Sequence, residues 1–446
     1  MSNVPYVVKA LLITVAASAL VAAAPQRGAA PAQRWVAAWA ASVHGPYPSG
    51  NPSAQPDLQL VFPAPAEGAV DQTFRLIVKP DVWGPRTRVR LSNAFGTRAV
   101  TFDHVTVGVH DAGGRVIVRT LVPATFAGKA AVAVEPGATV TSDPIALRFV
   151  TPESVLTGRK LAVSVHVAGP TGPMTWHAKA LTTSYVTAPH GGDHAADVSE
   201  TAFPFTTTSW FFLDALDMEM PTATSLVACF GDSITDGTAS TLNGDDRWPD
   251  VLSRRAHEKY GSRVSIVNAG IGGNQVVGPK TYAAASPVSG GPSALDRFDR
   301  DVLSLAGLKT IVWLEGINDL GAGTSAEDVI AGMKTIVSRA HARGVRVIGA
   351  TITSSLGSTT ATHASADVDA RRKAVNAFIR TGGVFDGVAD FDAATVDPAT
   401  GGLRAMFQPN STTGGAGDRL HPNRAGYLAM GNAIDLDMLL STRAFH

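Results

Sequence analysis

The chain has 446 residues, and its 37 Lys and Arg balance 37 Asp and Glu, so the formal net charge is zero. A neutral chain has no overall field that would draw it to nucleic acid or to an anionic membrane. Hydrophobic residues make up 45% of the sequence, enough for a packed core, and the single cysteine excludes an internal disulfide and a thiolate zinc site. At about 100–200 residues per domain, the length favours two domains.

The beginning of the sequence has the pattern of a secretory signal peptide, which we predict over residues 1–30. Lys9 is followed by an apolar run at 10–24 that is rich in small residues. This run is shorter than the ~20 residues that a spanning helix needs, and its alanines suit a signal peptidase. An uncleaved anchor is the alternative, whereas a lipoprotein anchor would need a cysteine there, and the chain has only Cys229. We therefore expect a secreted or periplasmic protein, with no stable membrane insertion after cleavage and no dependence on ATP or nicotinamide cofactors.

Residues 33–221 have the pattern of an antiparallel β protein. Short segments rich in Val, Thr and aromatic residues alternate apolar and polar side chains, as half-buried strands do. Clusters of Gly, Pro, Asp and Asn separate these segments, and no convincing helix is present. We predict an antiparallel β-sandwich domain. Its predicted strands include residues 74–79, 87–91, 100–110, 131–134 and 160–167.

From residue 223 to 446 the pattern changes to alternating strands and helices. This alternation predicts an α/β domain with a five-stranded parallel sheet and helices on both faces. In such folds ligands bind beyond the carboxyl ends of the strands. The predicted strands are 225–230, 264–267, 310–314, 345–352 and 387–391, and the main predicted helices are 248–257, a helix starting after Ser325, 368–379 and 423–440.

Each of the first three predicted parallel strands is followed by a residue suited to acyl-transfer chemistry. Ser233 follows the first strand between glycines, which permit the sharp turn that exposes a nucleophilic hydroxyl. Gly273 follows the second strand and lets the backbone approach a ligand, and Asn318 follows the third and offers an amide donor. Each also has a plain structural interpretation: a helix N-cap, a tight turn and an Asx turn, respectively.

A histidine near the C-terminus adds a candidate base. His421 follows Asp418 by three residues, at the start of the last predicted helix. One ring nitrogen can reach the serine while the other meets the carboxylate. An Asp-x-x-His pair can also bind a metal ion, but the sequence shows no third ligand, so we expect no metal site.

Together these segments resemble a known family of enzymes, the SGNH/GDSL hydrolases. The resemblance spans roughly residues 223 to 446. Further segments at 35–39, 90–96, 247–252 and 291–295 resemble a branch of secreted esterases that carry an N-terminal β domain and are often linked to xylan deacetylation. The four matching blocks are Gly231-Asp232-Ser233, Gly273, Gly316-x-Asn318-Asp319 and Asp418-x-x-His421.

The resemblance implies a flavodoxin-like, three-layer α/β/α fold and a serine esterase mechanism. In that mechanism Ser233 is the nucleophile, His421 the general base and Asp418 its orienting partner. The N–H groups of Ser233 and Gly273, with the amide of Asn318, form the oxyanion hole. No metal or organic cofactor is needed.

The expected partner is a small-molecule or polysaccharide ester, not a nucleic acid, and acetyl removal is the first hypothesis for the reaction. Two alternatives stay open: a lipase or thioesterase of broader acyl range, and a glycan-binding protein with a vestigial hydrolase domain.

Overall fold

The computed structural model describes residues 1–2, 32–151, 153–283 and 285–441. The predicted signal segment at 1–30 lies almost entirely outside the described residues. From Gln33 onward the chain forms one compact unit, so its division into two domains near residue 222 stays a prediction. In the part of the chain that the structure describes, no helix is both long and apolar enough to cross a membrane.

The first part of this unit is built from antiparallel strands. Its elements are β1 (Gln33–Ala40), β2 (Gly45–Pro46), β3 (Gln72–Val78), β4 (Arg86–Ser92), β5 (Val100–Val109), a 3₁₀ turn (Val118–Thr120), β6 (Val122–Pro123), β7 (Val132–Val134), β8 (Thr139–Thr141), β9 (Ile145–Ala146), β10 (Leu161–Val167), β11 (Thr175–His177), β12 (Ser184–Val186), β13 (Phe205–Thr207), β14 (Trp210–Phe211) and β15 (Leu213–Pro221).

These strands form three antiparallel sheets. One has the order β1-β15-β4-β8, with β9 beside β4; the largest has the order β13-β12-β3-β10-β5-β6, with β7 beside β5; and a small one has the order β14-β11-β2. The two larger sheets bury side chains such as Val89 and Phe74 in one hydrophobic cluster. The predicted antiparallel β region is therefore confirmed, and we call it the antiparallel part.

The second part, which we call the α/β part, alternates strands and helices. The strands are β16 (Ser225–Gly231), β17 (Val264–Gly270), β18 (Leu308–Leu314), β19 (Arg346–Ala350) and β20 (Gly387–Ala389). The helices are α1 (Ser233–Asp236), α2 (Trp248–Tyr260), α3 (Ala294–Phe298), α4 (Ile317–Gly321), α5 (Ala326–His341), α6 (Ala366–Thr381), α7 (Phe391–Thr395) and α8 (Arg424–Asn432). Shorter helical turns are Gly261–Arg263, Asp299–Leu303, Ala405–Phe407 and Leu436–Met438.

The five strands of the α/β part form one parallel sheet in the order β17-β16-β18-β19-β20. This order is the flavodoxin-like 2-1-3-4-5 arrangement, which confirms the predicted fold class. Gly231 pairs with Gly270 on one side and with Leu314 on the other, so β16, β17 and β18 end level with one another. The residues that follow these three strands therefore meet at one edge of the sheet.

Two predicted elements of the α/β part extend into residues that form a separate element. The last helix was expected over 423–440, but α8 ends at Asn432 and a separate turn follows after Asp435, whose side chain caps it. The fifth strand was expected over 387–391, but it ends at Ala389, because Asp390 already caps α7. In both places a side chain that accepts a backbone N–H starts a new element.

The antiparallel and α/β parts contact each other through backbone as well as side-chain atoms. The N–H of Ala37 in β1 donates to the carbonyl of Ala306 at 2.9 Å, and the Ala37 carbonyl accepts from the Ser265 hydroxyl at 2.7 Å. Asp81 accepts the N–H of Ile266 at 2.6 Å. One hydrophobic cluster also contains buried residues of both parts.

Candidate active site

Ser233 is held at the edge of the parallel sheet by a one-turn helix. It is the first residue of α1, and the preceding Asp232 caps that helix by accepting the N–H of Ile234 at 2.9 Å. Gly237 ends the turn with φ of 102°, in the left-handed region that favours glycine. The Ser233 side chain is therefore fixed beyond the end of β16, with the residue only 6% exposed.

The structure brings Ser233, His421 and Asp418 into one chain of hydrogen bonds. Oγ of Ser233 lies 2.8 Å from Nε2 of His421, although the two residues are 188 positions apart. On the other side of the ring, Nδ1 of His421 lies 2.5 Å from Oδ2 of Asp418. A proton on Nδ1 leaves Nε2 free to accept the serine proton, which is the arrangement that a general base needs.

Backbone donors and His421 stabilise the negative charge of the Asp418 carboxylate. Its Oδ1 accepts the backbone N–H groups of Leu420 and His421, each at 2.9 Å. Burial alone would raise the pKa of Asp418, but the hydrogen bond and charge interaction with His421, together with the backbone donors, outweigh burial and hold this pKa well below its usual range. Asp418 therefore stays ionised beside the imidazole.

Three N–H donors meet at the same sheet edge. Within the described residues, the backbone N–H groups of Ser233 and Gly273 donate to no protein acceptor. The Asn318 side chain donates one N–H from Nδ2 to the Asn274 carbonyl at 2.9 Å, which leaves its second N–H for another acceptor. These are the donors that the sequence predicted, and free donors of this kind can receive a developing oxyanion.

A buried arginine fixes the strand ends that carry these groups. Arg297 lies over the ring of Phe230, 4.3 Å from its centroid. Its guanidinium donates to the carbonyls of Gly231 (2.9 Å) and Ala269 (3.0 Å), at the ends of β16 and β17. It also donates to the side chain of Asn274 at 2.6 Å. Arg297 therefore ties the serine turn to the turn that carries Gly273.

Buried carboxyl groups surround the serine turn, and burial is the main reason that each has an unusual pKa. Burial raises the pKa of Asp232 to about 7, that of Glu315 to about 8 and that of Asp319 to about 6. Asp319 accepts the N–H groups of Val276 (2.7 Å) and Val277 (3.0 Å), so it anchors the loop beyond Gly273. These groups support the site and do not extend the hydrogen-bond chain of His421.

Side chains of the antiparallel part also contact the loops around Ser233. The sequence did not indicate them, because they carry no motif and lie far from Ser233 along the chain. Burial lowers the pKa of one of them, Lys179. The hydrogen bonds are Asn51 Nδ2 to the Gly272 carbonyl (2.9 Å), His177 Nε2 with Asp236 Oδ1 (3.2 Å) and Lys179 Nζ to Thr238 Oγ1.

The structure also bears on the alternative of a metal site. Among the described residues, no group of three or more His, Cys, Asp or Glu side chains is arranged to hold a metal ion. Asp418 and His421 instead bond to each other, and His421 also bonds to Ser233.

A comparison with protein-family models gave a match. The model of the GDSL-like lipase/acylhydrolase family matches residues 229–429, a segment that includes all the site residues predicted from the sequence. A search of curated proteins gave no match.

Solved structures give low-identity matches to about half of the chain. A carbohydrate acetylesterase family member from Sinorhizobium meliloti is 18% identical (49% of this chain, 99% of that chain, TM-score 0.36). A lipase/acylhydrolase from Enterococcus faecalis is 20% identical (47% and 93%, TM-score 0.35), and a GDSL-like lipase from Bacteroides thetaiotaomicron is 16% identical (48% and 87%, TM-score 0.35). Residues 229–429 are therefore similar to the GDSL-like lipase/acylhydrolases, a class of serine hydrolases that cleave esters.

Proposed function

We propose that the protein is a secreted serine esterase that removes small acyl groups, acetyl first among them, from a polysaccharide or another hydroxyl-rich ester. Ser233 is the nucleophile, His421 the general base and Asp418 the residue that orients the base. The N–H groups of Ser233 and Gly273 and the amide of Asn318 form the oxyanion hole.

The observation that carries this proposal is the unbroken chain of hydrogen bonds from Oγ of Ser233 through the His421 ring to Asp418, at 2.8 and 2.5 Å. A purely structural serine at the start of a helix does not need a hydrogen bond to an imidazole that is itself bonded to a carboxylate and comes from the other end of the α/β part. The free N–H donors of Ser233 and Gly273 follow two neighbouring strands that end level with each other.

The proposed reaction has two steps. His421 takes the proton of Ser233 as Oγ attacks the ester carbonyl carbon, and the carbonyl oxygen becomes an oxyanion held by the three donors. The bond to the alcohol breaks, and the alcohol leaves with the proton from His421. Water then attacks the acyl-enzyme, His421 again serves as base, and the free acid leaves as Ser233 recovers its proton.

The surroundings of the site support a polar alcohol group in the substrate. Thr238 donates its backbone N–H to the Ser233 carbonyl at 2.9 Å, and its hydroxyl accepts from Lys179. His363 and Asn318 lie on another side, 3.3 Å apart. These polar surroundings suit a hydroxyl-rich alcohol group, and a long acyl chain gains nothing from them.

Two measurements test the proposal. A fluorophosphonate should label the wild-type protein at Ser233, and Ser233→Ala should abolish both labelling and hydrolysis of p-nitrophenyl acetate while circular dichroism stays unchanged. Wild-type turnover in that variant would remove Ser233 from the mechanism. A wild-type protein that neither labels nor hydrolyses any ester would favour a glycan-binding protein with a vestigial site.

The acyl preference needs a separate experiment. We expect kcat/KM on p-nitrophenyl esters to fall steadily from acetate to dodecanoate, and acetate to be released from acetylated xylan or acetylated pectin. A maximum at long chains would replace the proposed deacetylase with a lipase or thioesterase, with the same catalytic residues.

Export is the last element of the proposal, and it rests on the apolar run at 10–24. When the full chain is produced in a secreting host, we expect active protein outside the cytoplasm with its N-terminus between residues 24 and 33. Full-length protein retained in the cytoplasm would contradict export and leave the esterase proposal untouched.

A further inference from the structure

The turn that carries Gly273 has two possible orientations of its central peptide. Asn274 donates its N–H to the Ile271 carbonyl at 3.1 Å, so residues 271–274 form a β-turn. Gly273, its third residue, has φ of 84°, and Gly272 is outside the left-handed region, which identifies a type II turn. A type I turn differs mainly by a flip of the central peptide, and two glycines permit both forms.

The orientation of this peptide decides whether an N–H group or a carbonyl oxygen faces the substrate. The central peptide consists of the Gly272 carbonyl and the Gly273 N–H, and in a trans peptide these two groups point in opposite directions. The observed orientation leaves the Gly273 N–H free for the oxyanion. In the flipped orientation a carbonyl oxygen would turn toward the oxyanion and repel it.

One side chain of the described residues holds the carbonyl end of this peptide. Nδ2 of Asn51 donates to the Gly272 oxygen at 2.9 Å. Only the amide nitrogen of Asn51 fits there, because a carbonyl oxygen accepts hydrogen bonds and cannot donate one. A Cβ on Gly273 would come within 2.7 Å of the same Nδ2, so Asn51 lies directly against the turn.

The neighbouring contacts act on a different peptide. The N–H of Gly272 donates to Oδ2 of Asp236 at 2.8 Å, and Oδ1 of Asp236 lies 3.2 Å from Nε2 of His177. These bonds fix the peptide between Ile271 and Gly272. They do not decide the direction of the next peptide, which turns about the bonds at Gly272.

We propose that Asn51, supplied by the antiparallel part, is a positioning residue of the oxyanion hole: its hydrogen bond to the Gly272 carbonyl selects the type II turn and thereby aims the Gly273 N–H at the reacting oxygen. This inference rests on the function proposed above for Ser233 and Gly273. It gives the antiparallel part an indirect role in catalysis, through the orientation of one peptide.

The test compares two variants at this position. Asn51→Ala removes the donor, and Asn51→Asp keeps the shape of the side chain but replaces the donor by a carboxylate that repels the carbonyl. We expect kcat on p-nitrophenyl acetate to fall at least about 10-fold in Asn51→Ala and further in Asn51→Asp, toward the ~10²–10³ typical of a lost oxyanion donor. KM should change less than about 2-fold, because the ground state makes little use of this donor.

A second measurement separates an effect on the position of the Gly273 N–H from a general loss of protein stability. A trifluoromethyl ketone adds to a nucleophilic serine and forms an oxyanion, so its inhibition constant should rise by the same factor as kcat/KM falls. The matched control is Gln55→Ala: Oε1 of Gln55 accepts from Ser209 at 2.8 Å and from Thr208, within the antiparallel part. This control should lower the melting temperature and leave kcat and the inhibition constant at wild-type values.

The outcomes distinguish this inference from the proposed function. If wild-type hydrolysis survives Ser233→Ala, the proposed function is wrong and the role of Asn51 fails with it. If hydrolysis depends on Ser233 but Asn51→Ala keeps the wild-type kcat and inhibition constant, or changes them no more than Gln55→Ala does, the role of Asn51 alone is wrong.

Discussion

Nε2 of His363 lies 3.3 Å from Oδ1 of Asn318, at the opposite end of the amide from the Nδ2 that donates to Asn274. Nδ1 of His363 lies 2.9 Å from the hydroxyl of Thr362, which can donate a hydrogen bond to it. A neutral ring with its proton on Nε2 therefore donates to Oδ1. Both ends of the Asn318 amide are held, so its nitrogen always faces the site.

Loss of this contact should weaken the oxyanion hole without destroying it. Because the bond to Asn274 stays, we expect His363→Ala to lower kcat about 3- to 10-fold, the worth of one ordinary hydrogen bond. KM on p-nitrophenyl acetate should change little. Steady-state kinetics check this, with Thr362→Val as a milder variant that leaves the His363 ring in place. An unchanged kcat in His363→Ala would mean that Asn274 alone orients the amide.

Removal of the Asn318 amide should have a larger effect. Asn318→Ala deletes one of three donors to the oxyanion, so kcat should fall by ~10²–10³ while KM changes less. Asn318→Asp has the same shape but no N–H group, and its negative charge would oppose the oxyanion, so it should be at least as inactive. Equal kcat values in Asn318→Ala and the wild type would contradict the oxyanion role.

Asp418→Asn tests the orienting role of the carboxylate. An amide at this position can donate to Nδ1 of His421 and favour the wrong tautomer, so kcat should fall by ~10⁴ at neutral pH. Asp197 offers a matched control, because its carboxylate lies 2.7 Å from Nδ1 of His194 in the antiparallel part. Asp197→Asn should retain wild-type turnover. A similar loss in both variants would point to instability as the cause, which thermal melting would detect.

The buried Glu315 should make the protein less stable as the pH rises. Its Oε2 accepts from the Trp313 indole at 2.8 Å, and burial, opposed by Arg297, raises its pKa to about 8. Between the ordinary glutamate pKa of ~4.3 and about 8, the folded protein keeps a proton that the unfolded chain releases, so the free energy of unfolding falls as pH increases, by up to about 1.4 kcal/mol per pH unit.

Glu315→Gln keeps the oxygen that accepts from Trp313 but cannot ionise. Chemical denaturation from pH 5 to 8.5 should therefore show a shallower fall in unfolding free energy for this variant than for the wild type. Some fall should remain, since the pKa values of Asp232 and Asp319 are also raised by burial. The exposed Glu327 provides the control, and Glu327→Gln should follow the wild-type curve. Parallel curves for Glu315→Gln and the wild type would contradict a buried, protonated Glu315.

The sequence predicted the site best where a local strand pattern combines with the topology of a parallel sheet. Ser233, Gly273 and Asn318 each follow a short buried strand, and parallel strands end at one edge of a sheet, so their meeting could be predicted. The flavodoxin-like order was expected from the family resemblance. β15 was harder to recognise, since its acidic residues are unfavourable in strands taken alone, and pairing with β1 and β4 on either side compensates.

Contacts between segments that are distant along the chain could not be predicted from a single sequence. Asn51 lies 221 positions from Gly272. An asparagine in a loop has no periodic pattern, and nothing local distinguishes it from its neighbours, since its role depends on its contact with the turn after β17. The same holds for His177 and Lys179. Their roles arise from packing between the antiparallel and α/β parts, which local pattern does not specify.

The backbone bonds of Ala37 to Ala306 and of Asp81 to Ile266 restrict how this enzyme can be cut or recombined. A fragment beginning at β16 would keep its nucleophile and base. It would also expose the Ala306 carbonyl and the Ser265 hydroxyl that bond to β1, and it would lose the amide that aims one of its oxyanion donors. Engineers who wish to exchange the esterase segment between proteins would therefore have to transplant the preceding strands with it.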